Sequence, residues 1–422
     1  MAKISFQLIL LLIFILPWQT RLILRPGILN GAPWEYGHLG LFVTEILLWL
    51  IVVLELFLSR ERIRLYLKQN KITLVVAASL ISLSFLAAND KFLTLQTMAH
   101  YLAAIGLAVI LKNLSTEKKR AVALVFIAAM SLQAALGIYQ FLSQSSFGNR
   151  WLGLVAHPVW LPGAAVLENT AGRFLRAYGS LPHPNILGGY LVIGLILLVV
   201  FRWSNSPLKQ SFFWPLYSLF LTALFFTFSR SAWLAWLASF FLLGYRKKQL
   251  IIATLAVFLF YSALFYPLLI SRVVVIDRLE LVSKAERMSQ YHEAWQLIKK
   301  NPWLGTGAGQ YTLALHRLFP EKSVWQLQPV HNIFVLALAE WGIIGLALLG
   351  LIFLKFFSFF SKAARRVNWL LLTPLIIIGL FDHYLLSLWS GNILIAAAIG
   401  LLDFSAKNLD KSQTPALLPR PS

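Results

Sequence analysis

Three ionisable residues stand beside or between long apolar runs, namely His331, Arg287 and Arg230. His331 follows the polar stretch 271–329, which contains Arg287, while Arg230 stands in "SRS" between two apolar runs with no acidic residue near it in sequence. Ionisable residues are costly at membrane depth and usually functional there. Arginine is suited to binding phosphate, and a neutral imidazole can act as a general base. The residue types therefore predict anion binding beside acid–base chemistry.

A second group of polar residues, Arg176, His183 and Asn185, lies in "RAYGSLPHPNILGGYL". The prolines on either side of His183 extend the chain before a helix that begins near Asn185. A kinked helix entry capped by Asn185 explains the histidine somewhat better than a functional role does. Arg176 can hold either a phosphate or a lipid head group.

The polar stretch 271–329 predicts an amphipathic outer helix that ends near Asn301. Its apolar residues recur at helical spacing and are Met288, Tyr291, Trp295 and Ile298. We expect Arg287 to begin this helix, where it would oppose the helix dipole and indicate an external anion. The "GTGAG" that follows lacks the βαβ setting of a phosphate loop, so it predicts a tight backbone turn.

His331 is followed by Asn332 and by the apolar run "IFVLALAEWGIIG". A helix N-terminus tends to keep an imidazole neutral, as a general base requires, although a lone histidine at an interface is usually structural. Glu340 falls on roughly the opposite helix face, so we expect it to pair with a cation from another helix.

The composition indicates a polytopic membrane protein. The chain of 422 residues is 59% hydrophobic and 13% charged, and its mean hydropathy is +0.73. It has no cysteine, which excludes disulfides and thiolate-bound metals. Its net charge of +21 is better explained by basic cytoplasmic loops than by nucleic acid, so no nucleic-acid partner is expected. The apolar N-terminal run lacks a small-residue cleavage site and predicts a retained anchor.

The sequence predicts an all-α fold of about twelve transmembrane helices. The apolar runs lie at about 4–18, 39–58, 72–88, 93–111, 121–142, 184–201, 212–228, 231–244, 249–270, 330–354, 368–381 and 384–402. One alternating set of connections contains 22 of the 37 Lys and Arg residues, which places both termini in the cytoplasm.

The predicted organisation alternates membrane helices with two outer loops. Its parts are helices one to five (1–142), an outer loop (143–183), helices six to nine (184–270), a large outer loop with short helices (271–329), helices ten to twelve (330–403) and a cytoplasmic tail (404–422).

Four segments occur in an order that resembles the O-antigen ligase/O-antigen polymerase superfamily. They are "GSLPHPNILGGYL", "SRS", "NPWLGTGAG" and "HNIFVLALAEWGIIG". No single motif is specific, but their order, their spacing and their predicted outward position agree with the family over residues 170–350.

This resemblance implies an inverting glycosyltransferase in the cytoplasmic (inner) membrane, with its site on the outer face. The donor would be a glycan on undecaprenyl diphosphate, and the acceptor a lipid or glycan hydroxyl or a protein Ser/Thr. His331 matches the family's functional histidine, and Arg230 and Arg287 match the cations that meet the diphosphate. The further candidate substrate contacts are Arg176, His183, Asn185, Asn332 and Tyr291. Ligase and polymerase are not separated by the sequence.

No cofactor or metal is expected, because the outer loops show neither an acidic cluster nor a Cys/His ligand set. Membrane lipids are expected partners. An alternative class is a transporter that flips lipid-linked oligosaccharides, which predicts internal repeats and charged residues in several spans. A structural membrane protein would leave Arg230, Arg287 and His331 with no common role. As a geometric test, the glycosyltransferase hypothesis predicts that these three converge on one cavity.

Overall fold

The computed structural model describes residues 2–61, 68, 70–161, 163–202, 210–243, 248–274, 278–358 and 362–401. The predicted tail 404–422 lies outside these ranges. The described chain is mostly helical, and its few strands form short hairpins.

A helix lies in each of the twelve predicted spans. The helices are α1 (Ala2–Ile15), α2 (Val43–Leu58), α3 (Lys71–Ala87), α4 (Lys91–Lys112), α5 (Thr116–Ser143), α6 (Pro184–Arg202), α7 (Gln210–Phe226), α8 (Arg230–Leu243), α9 (Lys248–Leu264), α10 (Tyr266–Val274), α11 (Arg278–Lys300), α12 (Tyr311–Leu318), α13 (Ile333–Ser358), α14 (Lys362–Phe381), α15 (Tyr384–Ser387) and α16 (Trp389–Gly400).

Among the described residues, length and composition qualify four helices as membrane spans, namely α4, α5, α6 and α13 up to Ile352. Helix α9 makes a fifth if the bent continuation from Tyr266 is counted with it. Several of the other apolar helices are shorter than 18 residues. The structure therefore supports a polytopic helical membrane protein, while the number twelve and the outer position of the large loop stay predictions.

Within the described ranges, three antiparallel strand pairs accompany the helices. Strands β1 (Arg21–Arg25) and β4 (Leu39–Phe42) pair, with β2 (Ile28–Leu29) and β3 (Ala32–Pro33) forming a smaller hairpin between them. Strands β5 (Val166–Asn169) and β6 (Gly172–Leu175) form the third.

The hydrophobic core is built around α6. All residues of α6 from Pro184 to Phe201 are buried, because glycines allow close approach of its neighbours. A Cβ at Gly188 would lie 2.7 Å from the Ala232 Cβ, and one at Gly189 would lie 2.1 Å from the Tyr384 hydroxyl. This packing fixes the end of α6 that begins with the His-Pro-Asn sequence.

A smaller core joins α11 and α12 to α13. Its residues include Ala294 and Leu297 of α11, Leu315 of α12 and Leu336 of α13. The predicted apolar face of α11 only partly faces this core, because Met288 and Trp295 are exposed. The helix ends at Lys300, as the sequence predicted.

Helix α13 is broken at Gly342, and the loop after α11 fills the break. Gly342 has φ 63° and ψ −174°, a conformation that is essentially restricted to glycine. The loop amides of Thr306 and Gly307 donate to the Ala339 and Glu340 carbonyls, at 3.0 and 2.8 Å. On the other side of the break, the Ile343 and Ile344 amides donate to the carbonyls of Pro302 and Trp303, at 2.9 and 3.1 Å.

The predicted glycine turn is present in this loop. Gly305, Gly307 and Gly309 all have positive φ, at 69°, 93° and 71°. A Cβ at Gly305 would lie 2.4 Å from the Glu340 carbonyl, so the turn also needs glycine for close approach to α13.

Candidate functional site

His331 lies two residues before α13 and is held by α11. Its Nδ1 is 2.7 Å from Oε1 of Gln290, a buried residue. Because a carboxamide oxygen only accepts, Nδ1 carries the hydrogen and donates it. The other ring nitrogen, Nε2, is then unprotonated and able to accept a proton.

A buried chain of hydrogen bonds leads to Asp382, which lies between α14 and α15. Asn185 Nδ2 donates to Asp382 Oδ2 at 2.8 Å, and Asn185 Oδ1 accepts from Arg176 Nη2 at 2.8 Å. The Arg176 Nε also donates to the Thr227 carbonyl at 2.7 Å. Arg176, Asn185 and Asp382 are all buried. Asn185 thus joins a buried cation to a buried carboxylate and does not act as the helix cap that the sequence suggested.

Histidines surround the Asp382 carboxylate. The ring centroids of His331 and His383 are 5.0 Å apart, and the ligand atoms of these two residues and Asp382 all lie within 4.8 Å of one another. The His383 Nδ1 already bonds Ser387 Oγ at 2.6 Å. A His–Asp–His set of this size is able to bind a metal ion, which the sequence did not suggest.

Burial sets the protonation states of this cluster. It lowers the pKa of His331, an effect that Asp382 opposes and Arg287 strengthens. It also lowers the pKa of His383 to about 3. Burial acts to raise the pKa of Asp382, but the adjacent histidines and the Asn185 hydrogen bond together keep that pKa below its usual value. The cluster therefore combines neutral imidazoles with an ionised carboxylate at neutral pH.

His183 forms the helix entry that the sequence predicted and also belongs to this cluster. Its Nδ1 accepts from the Asn185 amide at 3.1 Å. Burial, followed by the charge of Arg176, lowers the pKa of His183. Its imidazole is therefore neutral.

Arg230, the first residue of α8, has an acidic partner from a distant part of the chain. Its Nη2 lies 3.1 Å from Glu280 Oε2, and its Nη1 donates to the Arg272 carbonyl at 3.0 Å. Glu280 also pairs with Arg272. The sequence showed no nearby acid because this one comes from α11, 50 residues away.

Arg287 lies in the interior of α11, which begins nine residues earlier at Arg278. The expectation that Arg287 starts the helix was wrong, and the argument from the helix dipole fails with it. In the described part of the chain, Arg287 forms no ion pair. Its charge is therefore available to a ligand.

Arg230, Arg287 and His331 line one cavity of about 340 Å³. We call it the arginine cavity; its wall also includes Glu280, Lys284 and Tyr291. The predicted convergence of the three residues is therefore present. Arg230, Lys284 and Arg287 contribute three positive charges against the single carboxylate of Glu280, so the cavity is suited to an anion.

His331 also lines a second and larger cavity of about 880 Å³. We call it the histidine cavity; its wall includes Glu35, Tyr36, His183, Glu321, Asp382 and His383. One imidazole thus forms part of the wall of two cavities. If each cavity held a ligand, both ligands would lie beside His331.

Residues 215–350 match the family model described as O-antigen ligase. These residues include five members of the site described above, namely Arg230, Glu280, Arg287, Gln290 and His331. This segment is therefore similar to the O-antigen ligase-like superfamily. The match begins after the His-Pro-Asn sequence, so it covers three of the four segments that carried the resemblance.

A curated protein to which the chain is similar is the general O-oligosaccharyltransferase of Acinetobacter baylyi. The two are 27% identical over 212 residues, which is 46% of this chain and 35% of the relative. The chain thus aligns with about a third of the length of that protein.

Two of the remaining candidate residues lie beside the arginine cavity. Tyr291 lines it, and its hydroxyl accepts a long hydrogen bond from Asn332 Nδ2 at 3.4 Å. The Asn332 side-chain oxygen accepts from the Phe334 and Val335 amides, at 2.9 and 3.1 Å. Asn332 is therefore a helix cap that also holds Tyr291.

Glu340 has no cationic partner among the described residues, so the expected ion pair was wrong. Its carboxylate accepts from the backbone amides of Gly309 and Tyr311, at 3.0 and 3.3 Å. The glycine turn supplies these donors. Glu340 of the ligase-like segment therefore anchors the loop after α11.

Sequence reasoning missed Gln290, Asp382 and the Arg272–Glu280 pair. Gln290 and the Arg272–Glu280 pair lie on helices, and a sequence does not reveal which face of a helix meets the site. Asp382 and His383 gave a usable signal, because they are the polar pair between the apolar runs 368–381 and 384–402. Ionisable residues at such a membrane boundary indicate function.

Proposed function

We propose that this protein is a membrane glycosyltransferase of the ligase or polymerase type. It transfers a glycan from undecaprenyl diphosphate to an acceptor hydroxyl on the outer face of the cytoplasmic membrane. The observation that carries this proposal is the position of His331 between the arginine cavity and the histidine cavity. The family match and the name of the Acinetobacter relative support glycan transfer.

The arginine cavity binds the donor diphosphate. Arg230 and Arg287 present planar guanidinium groups, which match phosphate oxygens and keep their charge. Glu280 does not neutralise the site, because Arg272 shares it with Arg230. The cations stabilise the negative charge that develops on the departing lipid diphosphate.

The transfer is a single displacement at the anomeric carbon. The acceptor oxygen forms the new bond to that carbon while the bond to the diphosphate oxygen breaks, and the lipid diphosphate leaves with the bonding electrons. The hydroxyl proton passes to His331 Nε2, because Nδ1 is occupied by Gln290. The nearby Asp382 carboxylate stabilises the imidazolium. Attack opposite the leaving group inverts the anomeric configuration.

This mechanism takes its electrostatic stabilisation from arginines and needs no metal. The His331–Asp382–His383 cluster makes the point testable, because a metal held there would occupy His331. Activity in EDTA separates the two cases.

Membrane placement follows from the charge distribution. With both termini in the cytoplasm, the 143–183 and 271–329 loops lie outside, where nucleotide sugars are absent and a lipid-linked donor is available. The ligase-like segment extends in this proposal from residue 170 to residue 350.

The test uses purified full-length protein and undecaprenyl-diphosphate-linked oligosaccharide extracted from the membranes of the cells that make it. We expect transfer in EDTA, and we expect His331→Ala to abolish it while expression and donor binding persist. A strict requirement for a divalent ion would contradict the mechanism. Movement of the donor across vesicles without any transfer would favour the transporter hypothesis.

A further inference from the structure

The histidine cavity has an acidic wall. Glu35, Glu321 and Asp382 contribute three carboxylates, and the cation among the described lining residues is Lys322. The Lys322 ammonium is already paired with Glu293, which lies on α11. The charge that the cavity presents is therefore negative.

Two of these carboxylates are free to meet a ligand. Glu35 and Glu321 are exposed, and within the described ranges neither side chain forms a hydrogen bond or an ion pair. Because neither has a structural partner, their charges act on whatever enters the cavity.

The two cavities that meet at His331 thus differ in sign. The arginine cavity has Arg230, Lys284 and Arg287 against the carboxylate of Glu280. A phosphate is attracted to that cavity and repelled by the acidic one, since like charges across an interface repel each other. Such an arrangement selects against a wrong ligand as well as for the right one.

Aromatic rings give the histidine cavity surfaces for an uncharged ligand. Trp325 lines it with 64% of its surface exposed. The half-buried Tyr36 also lines it, with its ring centroid 6.1 Å from that of His383. The Tyr36 hydroxyl has no hydrogen-bond partner in the described chain, so it can bind a ligand hydroxyl. An aromatic surface with a few polar groups is typical of a small-molecule site.

We propose that the histidine cavity binds the acceptor as an uncharged sugar at the end of a glycan, with Glu35 and Glu321 excluding phosphate-bearing acceptors. This inference rests on the proposed function. It adds the class of acceptor and two specificity determinants, of which Glu35 precedes the family match and Glu321 lies within it. The sugar hydroxyl that faces His331 is the one that attacks the donor.

The test compares two tagged trisaccharides that differ only in a 6-phosphate on the terminal glucose. Binding of each to the full-length protein is measured by calorimetry, together with inhibition of native transfer. We expect the neutral sugar to bind about tenfold or more tightly than its phosphate. The double variant Glu35→Lys/Glu321→Lys should remove or reverse this preference. Glu286→Lys makes the same charge reversal once, at an exposed carboxylate of α11 that lines neither cavity, and this control should retain the preference.

Four results would overturn the inference: equal or tighter binding of the phosphate, an unchanged preference in the double variant, binding of neither sugar, or binding of a serine peptide in place of both. If transfer that depends on His331 persists beside any of these, the acceptor assignment alone is wrong. Loss of all transfer from the lipid-linked donor would instead refute the proposed function.

Discussion

Gln290 Oε1 lies 2.7 Å from His331 Nδ1, and this contact determines which nitrogen of His331 is basic. The carboxamide oxygen requires a hydrogen on Nδ1, which leaves the Nε2 lone pair free. A residue of α11 thereby sets the tautomer of a residue that precedes the membrane helix α13. The arrangement resembles other sites in which a hydrogen-bond acceptor orients a catalytic imidazole.

Gln290→Leu removes this acceptor, and we expect kcat to fall by roughly a hundredfold, the lower range for loss of general-base catalysis. Gln290→Glu keeps an acceptor opposite Nδ1, so it should restore much of the rate. Its negative charge should also raise the pKa of His331 and move the acid limb of the pH profile upward. Transfer rates across pH measure both effects.

The matched control is Gln296→Leu, since Gln296 lies on the same helix with its Nε2 3.4 Å from His292 Nδ1, and neither Gln296 nor His292 lines either cavity. Its rate should stay near that of the wild type. If Gln290→Leu were as active as this control, Gln290 would have no role in orienting His331.

The pH dependence of transfer should reflect the buried position of His331. Burial disfavours the imidazolium, so the pKa is lowered and the neutral base survives below the ordinary histidine value of about 6.5. Activity is then retained as pH falls through that value and is lost only at more acidic pH. The measurement is kcat against pH with saturating donor. An acid limb above pH ~6.5 would show that burial does not control this group.

Arg287→Ala should lower kcat/KM for the donor by about a hundredfold or more, since it removes a cation aimed at the leaving group. Arg287→Lys keeps the charge but loses the planar guanidinium group, so its kcat/KM should lie between those of the wild type and of Arg287→Ala. Arg278→Ala is the control from the same helix, because Arg278 is 72% exposed and pairs with Glu168. Direct binding of undecaprenyl diphosphate to each variant measures the affinity for the donor lipid. Equal loss in the Arg278 and Arg287 variants would remove the special role of Arg287.

Gly342→Ala should destabilise the protein by about 1–3 kcal/mol, the range for a strained backbone conformation. The added Cβ would also lie 2.3 Å from the Trp303 carbonyl oxygen. Gly350→Ala on the same helix is the control, because a Cβ there meets nothing within 4 Å. Thermal unfolding in detergent should separate the two variants. Comparable unfolding temperatures would mean that the break in α13 tolerates a side chain.

The sequence predicted the helical segments well, because apolar runs and basic connections are local signals. It also predicted that Arg230, Arg287 and His331 share a cavity, since the resemblance carried their relation. The prediction for Arg287 was wrong because it depended on where α11 begins. The prediction for Glu340 was wrong because backbone amides of the glycine turn, and not a cation, bind its carboxylate. Glu280 and Gln290, the partners of Arg230 and His331, lie on α11. Which residues of that helix face the site is set by tertiary packing, which a sequence does not display.

The break in α13 has a consequence for how the molecule can be assembled or re-engineered. Two carbonyls and two amides of that helix are satisfied by residues 302–307, and bare backbone groups are costly in a bilayer. The membrane helix and the polar loop are therefore obligate partners during insertion, although they are separated in the chain by α12. A chimera that imports a foreign loop after α11 must exchange 302–307 and 339–344 together, because either one alone would leave backbone groups of a transmembrane helix without hydrogen-bond partners.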